Sequence, residues 1–493
     1  YNISAVIGEY DDPYNQQQGL VKLDFSNDGN AVIYGNAESG KETLLSTMVY
    51  ELMSTYSPED VWIFILDFGS EALKIFKSSP HVGDVIFVSE SEKISRFFDM
   101  IQREIKERKK ILSNYNGSYS LYIKSEGKKM PMINVILNNY MAFSENYENV
   151  YDDIFMYVTR ECVKCGITFT ITANAFNDLR YRLSQNFRKR IALQMNNKDD
   201  YFNIFDKVGK KRPANLFGRG LVSLENNGVY EFQTAKICSA ADYNVQIEEK
   251  ILELNKKYNT RADAIPTMPK KIEIDDIKEY INDVSNLPIG ISKKDLGLAK
   301  YDFKKNFVTR IMSKNIQDVS EYVSYILEEL KLIKELNIVI FDAERTIMPK
   351  KEDLKEKFEQ FVSVVNNSML NMVNPFTICI INGLDKFMNE IQNEKAFSDV
   401  LKNADESGKY SFILVETAKK FKSHEFESWH KNYILTDFGI FVGNGIEDQY
   451  TIEIGERKRL KNNCGRSFGY VIKNGMPTLI KLIGMKELGD DNE

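Results

Sequence analysis

Residues 31–45 read "AVIYGNAESGKETLL", and this stretch constrains the fold more than any other. A short apolar run enters a loop of the pattern G-x-x-x-x-G-K. A helical stripe of Leu44, Leu45, Met48, Val49, Leu52 and Met53 follows, and Ser57-Pro58 stops it. Strand, Gly-rich loop and amphipathic helix in this order form a phosphate cradle. Backbone N–H groups curl around a β-phosphate while the helix N-terminus turns its partial positive charge toward it. Gly35 and Gly40 give the backbone freedom the curl needs, and Lys41 is placed to bridge the β- and γ-phosphates. The candidate nucleotide-binding residues are Gly35, Asn36, Ala37, Glu38, Ser39, Gly40, Lys41, Glu42 and Thr43, with ATP the expected ligand.

Glu42 stands where the pattern calls for a magnesium-holding Ser or Thr. A carboxylate about 4 Å from a phosphate oxygen costs about 4 kcal/mol per charge pair at an effective dielectric of 20. Carboxylate is also an ordinary magnesium ligand, so the sequence leaves ATP binding open both with and without Mg2+. Thr43 is left to reach an α-phosphate. Hydrolysis needs an acidic strand end, and here "INVILNN" ends in Asn138 and Asn139. An amide is no general base. The plainer reading is that these asparagines satisfy a strand-end turn. No catalytic residue and no metal ligand is assigned.

The rest of the first half alternates strands and helices: "VWIFILDFG" (61–69), "INVILNN" (133–139), "ITFTITAN" (167–174) and "KRIALQM" (189–195), with a helix over 91–112. Near-continuous apolar strands between helices predict a mostly parallel sheet covered on both faces. A hairpin is expected over 218–235, turning at "NNG" (226–228).

The second half repeats the order. Residues 306–330 can be laid on 30–54 without a gap, and "LNIVIFDAE" and "FTICIINGLDKF" place Asp342 opposite Asp67 and Asn382 opposite Asn138. In that alignment Ile311, Ile316 and Gln317 stand opposite Gly35, Gly40 and Lys41, so no phosphate loop is expected there. The domains are read as 1–258 and 286–493, joined by a charged, Pro-containing linker at 259–285 with one short helix.

Composition narrows the function classes. The formal net charge of −6 gives no overall basic surface for DNA, and runs such as "REIKERKK" read as solvated helix faces. Arg103 and Arg108 within it are candidates for an arginine completing a neighbouring site, against the plainer reading of surface charges. Five cysteines fit a reducing compartment, and Cys162 and Cys165 read as ordinary thiols rather than a metal pair. No apolar run is long enough to span a membrane. The chain begins at Tyr1 without Met, so a longer protein is expected, with any anchor outside it.

The stretches "VIGEYDDPYNQQQGLVKLDF" (6–25), "ILDFGSEALKIFKSSPHVGDV" (65–85) and "GRGLVSLENNGVYEFQTA" (218–235) resemble FtsK/SpoIIIE-type ATPase modules. More narrowly, they resemble the last two modules of the EssC/EccC type VII secretion coupling ATPases. The resemblance implies two tandem RecA-like P-loop NTPase modules of α/β class, each a mostly parallel sheet flanked by helices with an appended β-hairpin. It implies attachment at the cytoplasmic face of a bacterial membrane, hexameric or chain-like assembly, and contact with WXG-type secreted proteins and other secretion components. The family's phosphate lysine falls on Lys41, its magnesium hydroxyl on Glu42, its acidic pair on Asn138 and Asn139, and a strand-end glutamine on Asn174. The first module is therefore expected to bind ATP with weak or no hydrolysis, and the second to recognise substrates or partners. An active ATPase with unconventional groups and an FtsK-like DNA translocase are the alternatives.

Overall fold

The structure is a computed structural model that describes residues 2–126, 130–205, 208–224, 228–239, 241–348, 352–368, 375–455, 457–460 and 463–487. The chain divides into two compact units, 1–267 and 268–493.

Unit 1 holds a ten-stranded mixed sheet. Its strands are β1 (Ser4–Asp12), β2 (Gln17–Asp24), β3 (Ala31–Tyr34), β4 (Val61–Asp67), β5 (Val82–Phe87), β6 (Met132–Asn138), β7 (Ile167–Ala173), β8 (Lys189–Ala192), β9 (Arg219–Ser223) and β10 (Val229–Thr234). The spatial order is β2-β1-β10-β9-β8-β3-β7-β6-β4-β5. From β8 to β5 the pairings are parallel, and from β2 to β8 they are antiparallel. The expected hairpin is β9–β10, extended by an unforeseen partner hairpin, β1–β2. The edge strand β5 was also unforeseen. Asn226 and Asn227 of the expected turn lie outside the described residues.

Helices cover both faces because β6 alternates what it presents. Ile133, Val135 and Leu137 join one cluster and Met132 and Ile136 the other, as the two-residue strand period requires. Helix α1 (Lys41–Thr55) seals one face with Leu44, Leu45, Met48, Val49, Leu52 and Met53. Helix α2 (Ser91–Leu112) seals the other with Ile94, Phe97, Phe98, Ile101 and Ile105. Cys162 and Cys165 are buried in that second core, and burial pushes the Cys162 thiol up to about 12.

One surface reading fails here. Arg108 is only 2% exposed, because it falls on the apolar stripe of α2 between Ile105 and Leu112. Its guanidinium donates to the carbonyls of Cys165 (3.0 Å), Gly166 (3.4 Å) and Pro131 (2.9 Å) and to Glu104 (2.7 Å). It is a structural cation tying helix to sheet, whereas Arg103 is exposed.

Unit 2 repeats the plan with nine strands: β11 (Leu287–Ser292), β12 (Leu298–Tyr301), β13 (Val308–Ser313), β14 (Leu336–Asp342), β15 (Phe376–Asn382), β16 (Tyr410–Thr417), β17 (Gly439–Val442), β18 (Phe468–Lys473) and β19 (Met476–Leu482). Their order, β12-β11-β19-β18-β17-β13-β16-β15-β14, matches unit 1 apart from β5, which has no counterpart among the described residues. The helix Ile316–Leu330 packs one face, and helices Leu354–Ser368, Leu384–Ile391 and Glu394–Ser407 the other.

The sheets correct the gap-free alignment by two residues. Asp67 pairs with Asn138 and Asp342 with Asn382, as expected. Leu137 lies level with Ile171 and, through it, Val32, while Ile381 lies level with Leu414 and Arg310. Val32 therefore corresponds to Arg310, which sets Gly35, Gly40, Lys41 and Glu42 against Ser313, Asp318, Val319 and Ser320. The helix stripes agree with this register, since Leu44, Leu45, Met48, Val49 and Leu52 then correspond to the buried Tyr322, Val323, Ile326, Leu327 and Leu330.

Candidate nucleotide site

Between β3 and α1 the chain makes the loop Gly35–Gly40. Gly40, at φ 102, caps the helix without any side-chain hydrogen bond, so the first N–H groups of α1 remain available. A side chain at Gly40 would strike the backbone of Gly218 at 3.1 Å. At Gly35 a Cβ would come within 2.4 Å of Ser39 Oγ. Both glycines are thus required by close approach, Gly40 also by its left-handed backbone.

A cavity of about 370 Å³ opens over the loop, lined by residues 36–43 with Gly69, Asn138, Asn139, Asn174 and Phe217. Every predicted residue except Gly35 lines it, and Gly35 contributes its carbonyl to Lys41. Lys41 Nζ also donates to Asn36 O (2.7 Å) and Asn174 Oδ1 (3.1 Å), so the ammonium is folded onto its own loop. Burial lowers its pKa to about 8 against the opposing pull of Glu42 and Asp178. The Ser39 hydroxyl is 3% exposed as a residue and has no partner. A buried donor left open beside a helix N-terminus suits an incoming phosphate oxygen.

Glu42 Oε1 accepts from Ser70 N (3.2 Å), Ser70 Oγ (2.8 Å) and Asn138 Nδ2 (3.0 Å). Asn138 Nδ2 also donates to Asp67 (2.9 Å), and Asn138 Oδ1 accepts from Thr172 Oγ1 (2.9 Å). Asn139, in a left-handed conformation, caps the helix Tyr140–Asn146 through Ala142 N (3.3 Å). Both asparagines therefore serve the strand end, and neither presents a free carboxylate to a water. Magnesium does not fit this donor set: Glu42 Oε1 is taken by N–H and O–H donors, Oε2 shares the one Ser70 hydroxyl proton, and Asn138 turns an amide N–H2 toward the place a cation would occupy. Among the described residues no three His, Cys, Asp or Glu side chains cluster to hold a metal.

Phe217 was not anticipated. It reaches the cavity because Gly218 N donates to Ser39 O at 3.0 Å, a contact across 179 positions that leaves no local sequence signal.

The corresponding stretch of unit 2 is built differently, and the difference is visible in the backbone. Strand β13 runs on to Ser313 and the helix begins at Ile316, capped by Asn315 through Gln317 N at 3.0 Å. The same length of chain that forms the unit 1 loop is here strand and helix. Asp318, at the position of Gly40, is bound by Arg466 Nε at 2.6 Å, and Arg466 also pairs with Glu321. Arg466 stands where unit 1 has Phe217, since Ser467 O and Gly218 O each accept from the last antiparallel strand at 2.8 Å.

The comparisons with known proteins agree with this geometry. Residues 11–240 match the FtsK/SpoIIIE family. The type VII secretion system protein EssC of Staphylococcus aureus (strain NCTC 8325) is 27% identical over 344 residues, covering 68% of this chain and 23% of the relative. The ESX secretion system protein EccC of Geobacillus thermodenitrificans is 23% identical over 348 residues, with the same coverages. The chain thus spans under a quarter of the length of these relatives. Among solved structures, EssC (ATPases 2 and 3) from G. thermodenitrificans superposes with a TM-score of 0.85 at 19% identity, over 98% of this chain and 96% of that one. Thermomonospora curvata EccC (ATPases 2 and 3), in complex with a signal sequence peptide, gives 0.59 at 16% identity, over 98% and 93%.

Unit 1 matches the FtsK/SpoIIIE family over residues 11–240, and both units share the fold of tandem modules of that type. The chain is similar to the EssC/EccC proteins of type VII secretion, and its fold matches that of ATPases 2 and 3 of the G. thermodenitrificans protein. No helix among the described residues is long and apolar enough to cross a membrane.

Proposed function

We propose that unit 1 binds ATP through residues 35–43 and hydrolyses it weakly or not at all, while unit 2 docks secretion substrates or partner proteins. The observation that carries the reading is the cavity over Gly40 and Lys41, whose far wall offers Asn138 and Asn139 in place of acids. Phosphate recognition needs only the backbone curl, the helix end and a cation. Attack by water needs a base and a neutralised leaving group. The first set is present and the second is not.

For unit 2 the support is its filled loop together with the signal sequence peptide held by the EccC relative. WXG-type secreted proteins and other secretion components are the expected partners. Hexameric assembly at the cytoplasmic face of the membrane belongs to the longer protein. An active ATPase completed by Arg108 is disfavoured, since that guanidinium is committed to three carbonyls and Glu104. A DNA translocase is disfavoured by the net charge of −6.

Calorimetric titration of ATP into the chain and its Lys41→Ala variant tests the first half. Binding lost in the variant supports the reading, and equal binding by both refutes it. Fluorescence anisotropy with a labelled C-terminal peptide of a WXG-type protein tests the second, where no saturable binding is the contrary result.

A further inference from the structure

The wall of the same cavity carries a more specific consequence, which rests on the nucleotide binding proposed above. We propose that unit 1 selects a nucleoside diphosphate taken up without a metal ion, and that Glu42 sets this selection.

The curl is equipped for one phosphate group. The uncapped α1 N-terminus lines it beside Ser39, whose hydroxyl is unpartnered, and Lys41, whose ammonium must leave Gly35 O, Asn36 O and Asn174 Oδ1 to meet a phosphate. Among the described residues that line the cavity Lys41 is the sole cation, against Glu38 and Glu42. A third phosphate has to extend past Lys41 along the wall made by Glu42, Asn138 and Asn139. There it meets a carboxylate that is not free to swing aside. Ser70 N, Ser70 Oγ and Asn138 Nδ2 grip it at 2.8–3.2 Å. The absent side chain of Gly69 lets that grip close, since a Cβ there would lie 2.8 Å from Glu42 Oε1 and 2.4 Å from Asn138 Nδ2.

Magnesium could reverse the repulsion only by inserting between carboxylate and phosphate. The Asn138 amide opposes this: its orientation is fixed by Thr172 Oγ1 donating to Oδ1, which aims Nδ2 at Glu42 and Asp67. A cation entering there faces N–H donors. A diphosphate ends before this wall and needs no such ion.

The test is calorimetry on the whole chain with ADP and ATP, each in EDTA and in magnesium, for the native protein, Glu42→Gln and Glu42→Ser. The expected result is ADP binding about tenfold or more tighter than ATP in both media, with the ratio falling toward unity in both variants. ATP binding as tightly as ADP in EDTA, or rising to parity with magnesium, overturns the inference and leaves nucleotide binding standing. So does a preference for ADP that both variants retain. Absence of binding by either nucleotide under all conditions instead removes the underlying reading, and the inference with it.

Discussion

Asn138 lies directly opposite Asp67 across the β4–β6 pairing and donates its amide to that carboxylate at 2.9 Å. Unit 2 keeps the same bond between Asn382 and Asp342 at 2.7 Å. In both units the acid at the strand end holds the following loop: Asp67 accepts from Gly69 N and Leu73 N, and Asp342 from Ile347 N and Met348 N. The asparagine is thus a keystone between two acceptors in unit 1, Asp67 and Glu42. Restoring the family acid should therefore harm the protein. Asn138→Asp sets a third acceptor against two carboxylates in a buried place and is expected to cost about 3 kcal/mol of stability. The midpoint of urea unfolding reads the loss, and phosphate release should show no gain in hydrolysis.

The filled loop of unit 2 gives a second expectation. Arg466 binds Asp318 and Glu321 at the start of the Ile316–Leu330 helix while remaining about a quarter exposed. Arg466→Ala is expected to destabilise by about 1 kcal/mol. The effect should shrink in high salt as the pairs are screened, measured as the difference in unfolding free energy at low and high salt.

Much of this arrangement was legible in the sequence because it is local. The strand-loop-helix of residues 31–55, the apolar stripes of α1 and α2 and the paired strand ends at Asp67 and Asp342 follow from period and spacing within short windows. The gap-free alignment of 306–330 on 30–54 assigned Ile311 to Gly35, yet the helix stripes already opposed it: Leu44, Leu45, Met48, Val49 and Leu52 match Tyr322, Val323, Ile326, Leu327 and Leu330 only after a shift of two, the same shift that the sheet register requires. Other parts were misplaced because only tertiary pairing determines them. Strand β5, "VGDVIF", is interrupted by Gly83 and Asp84 and reads as loop; it forms because it pairs with β4 at the sheet edge. Arg108 had a signal that charge obscured, since it continues the spacing of Ile101 and Ile105. Phe217 had none.

Unit 2 also carries a pH dependence. Glu329 is fully buried, with neither carboxylate oxygen partnered, and burial pushes it up to about 9. Below about 4.5, the ordinary value, both folded and unfolded states hold the proton. Between there and about 9 only the folded state does, so stability falls as pH rises, by up to about 1.4 kcal/mol per pH unit. Glu329→Gln removes this slope. Unfolding free energies of native and variant chains across that range give the difference directly, and parallel curves would rule the effect out.

The central claim is that unit 1 holds nucleotide without consuming it, and a single-turnover experiment addresses it most directly. The chain in excess over γ-labelled ATP is incubated with magnesium, separated from free ligand, and the bound species identified over hours, beside Lys41→Ala. The account predicts that any label recovered with the native protein is intact ATP, in an amount limited by the preference for a diphosphate, and that the variant recovers none. Conversion of the bound label to free phosphate at about one turnover per minute or faster, lost with Lys41→Ala, would contradict it, since a catalytic group would then have to stand where the structure places Asn138, Asn139 and Glu42.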